Sequence, residues 1–157
     1  CMPFDIRKSI VSLFMAEVLY RVVREVEPES PLFEFVIGSI EALDSLTDGT
    51  ANFHLWFLVR LSFFMGFYPG NEYTPGAWFD IQEGLFTPIM PTHGMIMDQD
   101  SASLLHRFME ADIAELNNIK IVRQQRSDFM TAILNDFGYH LNSINNVKSI
   151  QILRDVF

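Results

Sequence analysis

Phe53-His54-Leu55-Trp56-Phe57-Leu58-Val59-Arg60-Leu61-Ser62-Phe63-Phe64-Met65-Gly66-Phe67 is the stretch whose reading decides the fold. A helix drawn through it is apolar nearly all round, which places it at the centre of a helical core rather than on a surface. Gly66 closes it as a C-terminal stop, and Thr50, after the loop Thr47-Asp48-Gly49, is positioned to cap its start. No catalytic motif competes with this helix, so a helical surface presented to partners is the first functional expectation.

The chain around it has 157 residues, enough for one domain that buries roughly two thirds of the surface its unfolded form exposes. Hydrophobic residues make up 49% of the sequence and 15 residues are phenylalanine, so an aromatic core with methionine as adaptable filler is expected. Apolar runs are broken by Glu34, Asp44 or Arg60 well short of the roughly 20 residues that a membrane crossing needs. The start carries Asp5 and Glu17 around its apolar part and no small-residue cleavage site, unlike a signal peptide. The lone cysteine, Cys1, excludes an internal disulfide and a thiolate zinc cluster, and a reducing cytoplasm is the expected home. Because Cys1-Met2 leads almost at once into helix, the chain reads as a domain excised from a longer protein.

Working outward, Ile6, Ile10, Leu13, Phe14, Val18 and Val22 recur every three or four residues and predict an amphipathic helix over 5–26, ending near Glu27-Pro28. Ser30-Pro31 supplies a cap and a first-turn proline for a second helix that should bury Phe33, Val36, Ile37, Ile40 and Leu43. Pro69-Gly70 and Pro75-Gly76 read as breakers in a long connection. Within it, Trp78-Phe79-Asp80-Ile81 and Leu85-Phe86 flank Gln82-Glu83-Gly84 as a short hairpin, placed at about 77–87. Asp98 or Asp100 caps a fourth helix through Leu104, Leu105 and Phe108, and a helical turn follows at Asp112–Leu116. The last long helix, about Arg123–Leu141, turns Phe129, Ile133, Leu134 and Phe137 inward, and after Asn142–Asn146 a short helix spans Ser149–Val156. The expected fold is mainly α, a bundle-like domain over 1–157 with a short β-hairpin insertion.

Net charge is −9, unevenly spread: residues 1–119 hold 6 basic and 17 acidic groups, whereas 120–157 hold 5 basic and 3 acidic. An acidic body opposes nonspecific nucleic-acid binding, which draws on counterion release by clustered Lys and Arg. Lys120, Arg123 and Arg126 are the candidates for such contact, since cations at a helix start oppose its macrodipole and point to a partner. A metal-dependent hydrolase can be drawn from His93, His106 and Glu110, with Asp98 and Asp100 upstream, but those residues read equally as a solvated helix face and caps. No Gly-x-Ser-x-Gly elbow and no glycine-rich phosphate loop is present. No cofactor is called for.

Arg60 is a lone charge in the apolar helix, with His54 two turns earlier on roughly the same side. Pairing with Glu17, Glu34 or Glu41 would satisfy it within the core. The functional alternative sets it at the lip of an apolar groove, gripping a carboxylate of a partner peptide. Phe63, Phe64 and Phe67 lack neighbouring cations other than Arg60 and are expected in the core rather than as a stacking platform.

The order of these elements resembles the C-terminal helical domain of the RecO family of recombination mediators. The resemblance begins with Leu13-Phe14-Met15-Ala16-Glu17-Val18-Leu19-Tyr20 and continues with Pro31-Leu32-Phe33-Glu34-Phe35. It runs on through Phe57-Leu58-Val59-Arg60-Leu61 with Met65-Gly66-Phe67, Phe79-Asp80 with Gly84-Leu85-Phe86, and Lys148-Ser149 with Leu153. It implies an OB-fold ahead of this domain that carries much of the single-stranded DNA contact. It also implies a role in strand annealing and, with RecR, in recombinase loading, in the cytoplasm at the nucleoid. The helical domain would dock the acidic, Phe-terminated tail of single-strand-binding protein, with His54, Phe57, Arg60 and Met65 as the candidate contacts. Many members carry four zinc-binding cysteines around the hairpin. The matching stretch here, about Tyr68–His93, has none, so Trp78, Phe79 and Phe86 should hold it by packing. Some relatives place arginines where this sequence has Leu55 and Trp56.

Overall fold

The computed structural model describes residues 5–22, 30–70, 72–141 and 147–157. Cys1, the end of the first helix with its stop at Glu27-Pro28, and the Asn142–Asn146 connection lie outside the described residues. Within them the chain is mainly α with a small antiparallel sheet, as the hydrophobic periods predict. The helices are α1 (Ile6–Val22), α2 (Pro31–Ser45), α3 (Thr50–Met65), α4 (Gln99–Glu110), α5 (Arg123–His140) and α6 (Ser149–Val156), with a 3-10 helix at Ile113–Asn118.

The aromatic helix α3 is the axis, with every residue from Asn52 to Val59 buried. Helices α1, α2, α4 and α5 and the 3-10 helix pack around it, and α6 closes over α1. Phe14, Phe53, Phe57, Phe79, Phe108, Phe129 and Phe137 are all fully buried, the aromatic core that the composition predicts.

Local chemistry starts and stops the helices. Ser30 Oγ accepts from Phe33 N at 3.1 Å with Pro31 in the first turn of α2, and Asp98 Oδ1 accepts from Ser101 N at 2.8 Å to start α4. Thr50 is not the cap of α3. Gly49 takes that position with φ +75°, and a Cβ there would lie 3.1 Å from the Leu116 side chain, so only glycine fits the approach. Helix α6 has no cap of its own; Glu17 of α1 reaches across to accept from Lys148 N at 2.6 Å, Ser149 N at 2.8 Å and Ser149 Oγ at 2.7 Å.

Strands β1 (Trp78–Asp80) and β2 (Leu85–Thr87) form the expected hairpin, with Phe79 opposite Phe86 and their rings in edge contact. Two partners escaped the local pattern. Strand β3 (Ile96–Met97) pairs with the other edge of β1, giving the order β2-β1-β3. Gly70, read as a plain breaker, bridges to β2: its N–H donates to Gly84 O at 2.8 Å, and a Cβ on it would meet Leu85 Cδ2 at 2.8 Å. Asp80 pins the turn, accepting from Glu83 N at 2.9 Å and from His93 Nε2 at 3.0 Å.

Several inward expectations are corrected. On α2 only Leu43 of the expected set is buried; Phe33, Ile37 and Ile40 are exposed by 39%, 41% and 44%. On α1, Ile6 and Leu13 point outward, and Phe63 of α3 is 62% exposed. Periodicity finds the apolar side of a helix, but the width of the neighbour that covers it is set elsewhere in the chain.

Candidate nucleic-acid and partner interface

Three polar side chains of α3, Asn52, Trp56 and Arg60, stand in a row four apart, and each binds backbone carbonyls of the 109–119 segment. Asn52 Nδ2 donates to Leu116 O and Ile119 O, both at 2.9 Å. Trp56 Nε1 donates to Ala111 O at 3.1 Å, and Arg60 Nη2 donates to Met109 O at 3.0 Å and Ala111 O at 2.9 Å. These carbonyls end α4 and the 3-10 helix, where helices leave acceptors unpaired. Arg60 is therefore held through Nη2 by a helix end, over the Trp56 ring at 5.6 Å, and not by the expected glutamates, while its buried Nε is left without a partner. Glu17 is committed to capping α6, and Glu34 and Glu41 lie exposed on α2.

The other candidate contacts divide by burial. Phe57 is fully buried and stacks on Phe35 with centroids 5.5 Å apart. His54 is 1% exposed, edge-on to Phe14 and stacked on Phe157, with Nδ1 lacking a hydrogen-bond partner. Burial, aided by the Arg126 charge, pushes its pKa down to about 3, so the ring is neutral. Neither presents a surface in this structure. Met65 is half-buried at the end of α3, beside Phe63 and Phe64, whose rings meet edge to face at 5.3 Å.

The basic residues behave differently. Arg7 of α1 joins Lys120, just before α5, and Arg126, in its first turns, along an open groove of about 560 Å³, with Arg123 alongside. Asp5, Asp48 and the start of α3 line the same groove. Among the described residues no Asp or Glu side chain forms an ion pair with Arg7, Lys120, Arg123 or Arg126. Arg126 donates to three oxygens, Phe157 O at 2.9 Å, Asn52 Oδ1 at 3.3 Å and Ile121 O at 3.4 Å. Arg123 Nη1 reaches Asp155 O at 3.5 Å, and the Arg7 guanidinium lies 4.7 Å above the Phe157 ring. Burial first, then the charges of Arg7 and Arg123, lower the Arg126 pKa, as expected for neighbouring cations. Sequence reasoning found three members of this cluster and missed Arg7, which lies more than a hundred residues away and is joined to them by the packing of α1 on α3 and α6.

The metal-ligand set drawn from sequence is not assembled. His93 pairs with Asp80, His106 stacks on Tyr73 at 4.4 Å, and Glu110 lies exposed at the end of α4. Among the described residues no three His, Cys, Asp or Glu side chains come together as a metal site. No described helix is long and apolar enough to cross a membrane.

Comparison with known proteins supplies the context for this geometry. Residues 3–142 match the family described as "Recombination protein O C terminal". A protein of Bacteroides fragilis named DNA repair protein RecO is 35% identical over 157 residues, covering 99% of this chain and 65% of the relative. Proteins of the same name from Phocaeicola vulgatus and Azobacteroides pseudotrichonymphae are 32% and 31% identical, covering 99% and 96% of this chain. The chain spans 63–65% of the length of these relatives. No solved structure matches it. The match of nearly the whole chain to one family, in the element order that the structure displays, makes this chain a member of the recombination protein O C-terminal family.

Proposed function

We propose that this chain is the helical part of a recombination mediator in bacterial DNA repair, acting by holding partners rather than by catalysis. The observation that carries this reading, beside the family, is the gathering of Arg7, Lys120 and Arg126 along one groove, with Arg123 alongside and none of the four in an ion pair with a described Asp or Glu side chain, on a chain of net charge −9. Cations that line a groove outside side-chain ion pairs are the groups that exchange condensed counterions for phosphates. Single-stranded DNA held mainly by the rest of the longer protein continues along this groove. The acidic, Phe-terminated tail of single-strand-binding protein docks at the α3 end formed by Arg60 and Met65, where exposed Phe63 adds apolar surface. Phe57 supports that end from within the core through Phe35, which also stacks on Phe64, whereas His54 lies at the other end of α3 beside Phe157 and Arg126. RecR is the second protein partner, and the working place is the cytoplasm at the nucleoid.

The test is fluorescence anisotropy with the intact protein and two probes, a labelled oligothymidylate and a labelled acidic peptide ending in Phe, each over a range of salt. Replacing Arg123 and Arg126 by Ala should weaken oligonucleotide binding and flatten its salt dependence while leaving the peptide untouched. Deleting the terminal Phe from the peptide should abolish its binding. Unchanged oligonucleotide affinity in the Arg123→Ala, Arg126→Ala protein would sink the groove reading, and Phe-independent peptide binding would sink the docking reading.

A further inference from the structure

Helix α2 is built to be covered on two sides and is covered on one. Leu32, Phe35, Ala42 and Leu43 face the core, and Ser39 closes on Phe35 O at 2.7 Å. On the opposite arc Phe33, Ile37 and Ile40 follow one another at spacings of four and three and are exposed. Beside that stripe runs a second row, Glu34, Gly38 and Glu41, at the same spacings and also exposed. Gly38 is the informative member. A mid-helix glycine weakens a helix, this one has no positive φ, and nothing lies within 4 Å of where its Cβ would be. Nothing inside the described structure requires it. It leaves an open seat on the helix surface, one turn from each of two carboxylates.

We infer that this face docks an amphipathic helical segment of a partner protein, apolar against Phe33, Ile37 and Ile40 and carrying a Lys or Arg that lies over Gly38 between Glu34 and Glu41. Charge complementarity selects the occupant. Helix α2 contains no basic residue, and neither glutamate carboxylate pairs with a described residue, so the rim attracts cations and repels a second copy of itself. The long stem of Lys or Arg needs the backbone to be bare where it crosses, and glycine supplies that. The site is acidic and lies on a different helix from the arginine groove, so it takes a partner of opposite character and is independent of the reading proposed above.

The experiment uses the intact protein and two helical peptides that share one leucine stripe, one flanked by lysines and one by glutamates. Binding is followed by anisotropy, and the contact is mapped by hydroxyl-radical footprinting of Phe33, Ile37 and Ile40. The lysine peptide should bind saturably and protect those three side chains, and the glutamate peptide should not. Reversing Glu34 and Glu41 to Lys should exchange the two preferences. Gly38→Leu should weaken lysine-peptide binding several-fold while raising the thermal midpoint, so loss of binding through misfolding is recognised at once. Equal affinity for both peptides, or indifference to Gly38→Leu, would overturn the inference. So would protection of the stripe in the intact protein alone, which assigns the face to the protein's own remaining residues, or protection that grows with concentration, which assigns it to a second copy.

Discussion

Arg60 and His54 are both polar residues in an apolar helix, and their surroundings give them opposite energetic signs. Arg60 makes charge-assisted bonds to two carbonyls that end α4, so Arg60→Met should lower stability by about 1.5–3 kcal/mol, read as a shift in the urea midpoint at unchanged slope. Lysine at the same position keeps the charge but not the fork and should recover only part of the loss. His54 is buried neutral, with its pKa near 3 when folded against 6.5 for the ordinary side chain. Its contribution is complete above the unfolded value and is lost as pH falls from 6.5 towards 3. Asp136 runs the other way: burial raises its carboxyl to about 7, so the folded state keeps a proton that the unfolded chain has released above 3.8. Its contribution is complete below 3.8 and is lost as pH rises through about 7. The two partly cancel in mildly acidic solution. Stability of His54→Phe should therefore rise between about pH 7 and about pH 5, and that of Asp136→Asn should fall more steeply than the parent's, both measured as urea midpoints.

At the scale of elements, starts and stops were legible because they are local chemistry. Ser30-Pro31 and Asp98 announce helices through side chains that reach their own first turn, and the Phe79 and Phe86 alternation announces a hairpin. Elements held from far away were illegible. Strand β3 is two residues long and exists because β1 has a second edge, and Gly70 joins β2 through a bridge that no local pattern encodes. Helix α6 is expected from the sequence as a short helix after Asn142–Asn146, yet its cap comes from Glu17, more than a hundred residues earlier. Those bonds hold the Glu17 carboxyl below its ordinary pKa, against the opposing push of burial. Glu17→Ala should cost about 0.5–2 kcal/mol, the range of a lost cap, and amide exchange in 149–156 should accelerate more than in α5. Uniform acceleration across both helices would show instead that α6 is not separately hinged on this residue.

For the whole molecule, the sequence reading of a helical domain with a hairpin holds because one helix organises everything else. The basic half of the candidate interface was legible as composition, since residues 120–126 concentrate cations in an acidic chain, whereas its completion by Arg7 is a matter of tertiary packing. In the Arg123→Ala, Arg126→Ala protein the slope of oligonucleotide affinity against salt should drop by about one unit per lost phosphate contact, checked by repeating the titration across ionic strength. The row formed by Asn52, Trp56 and Arg60 has a consequence for how α3 is oriented. A rod that is oily on all sides gains almost the same burial whichever way it is spun about its axis, so hydrophobicity leaves its azimuth degenerate. Three donors in line with the carbonyls of two helix ends act as a key in a slot, because a turn of one residue would strand all of them in a dry interior. Shuffling Leu, Phe, Val and Met among the remaining positions of α3 should therefore change how tightly the molecule packs but not which face of α3 looks at α4.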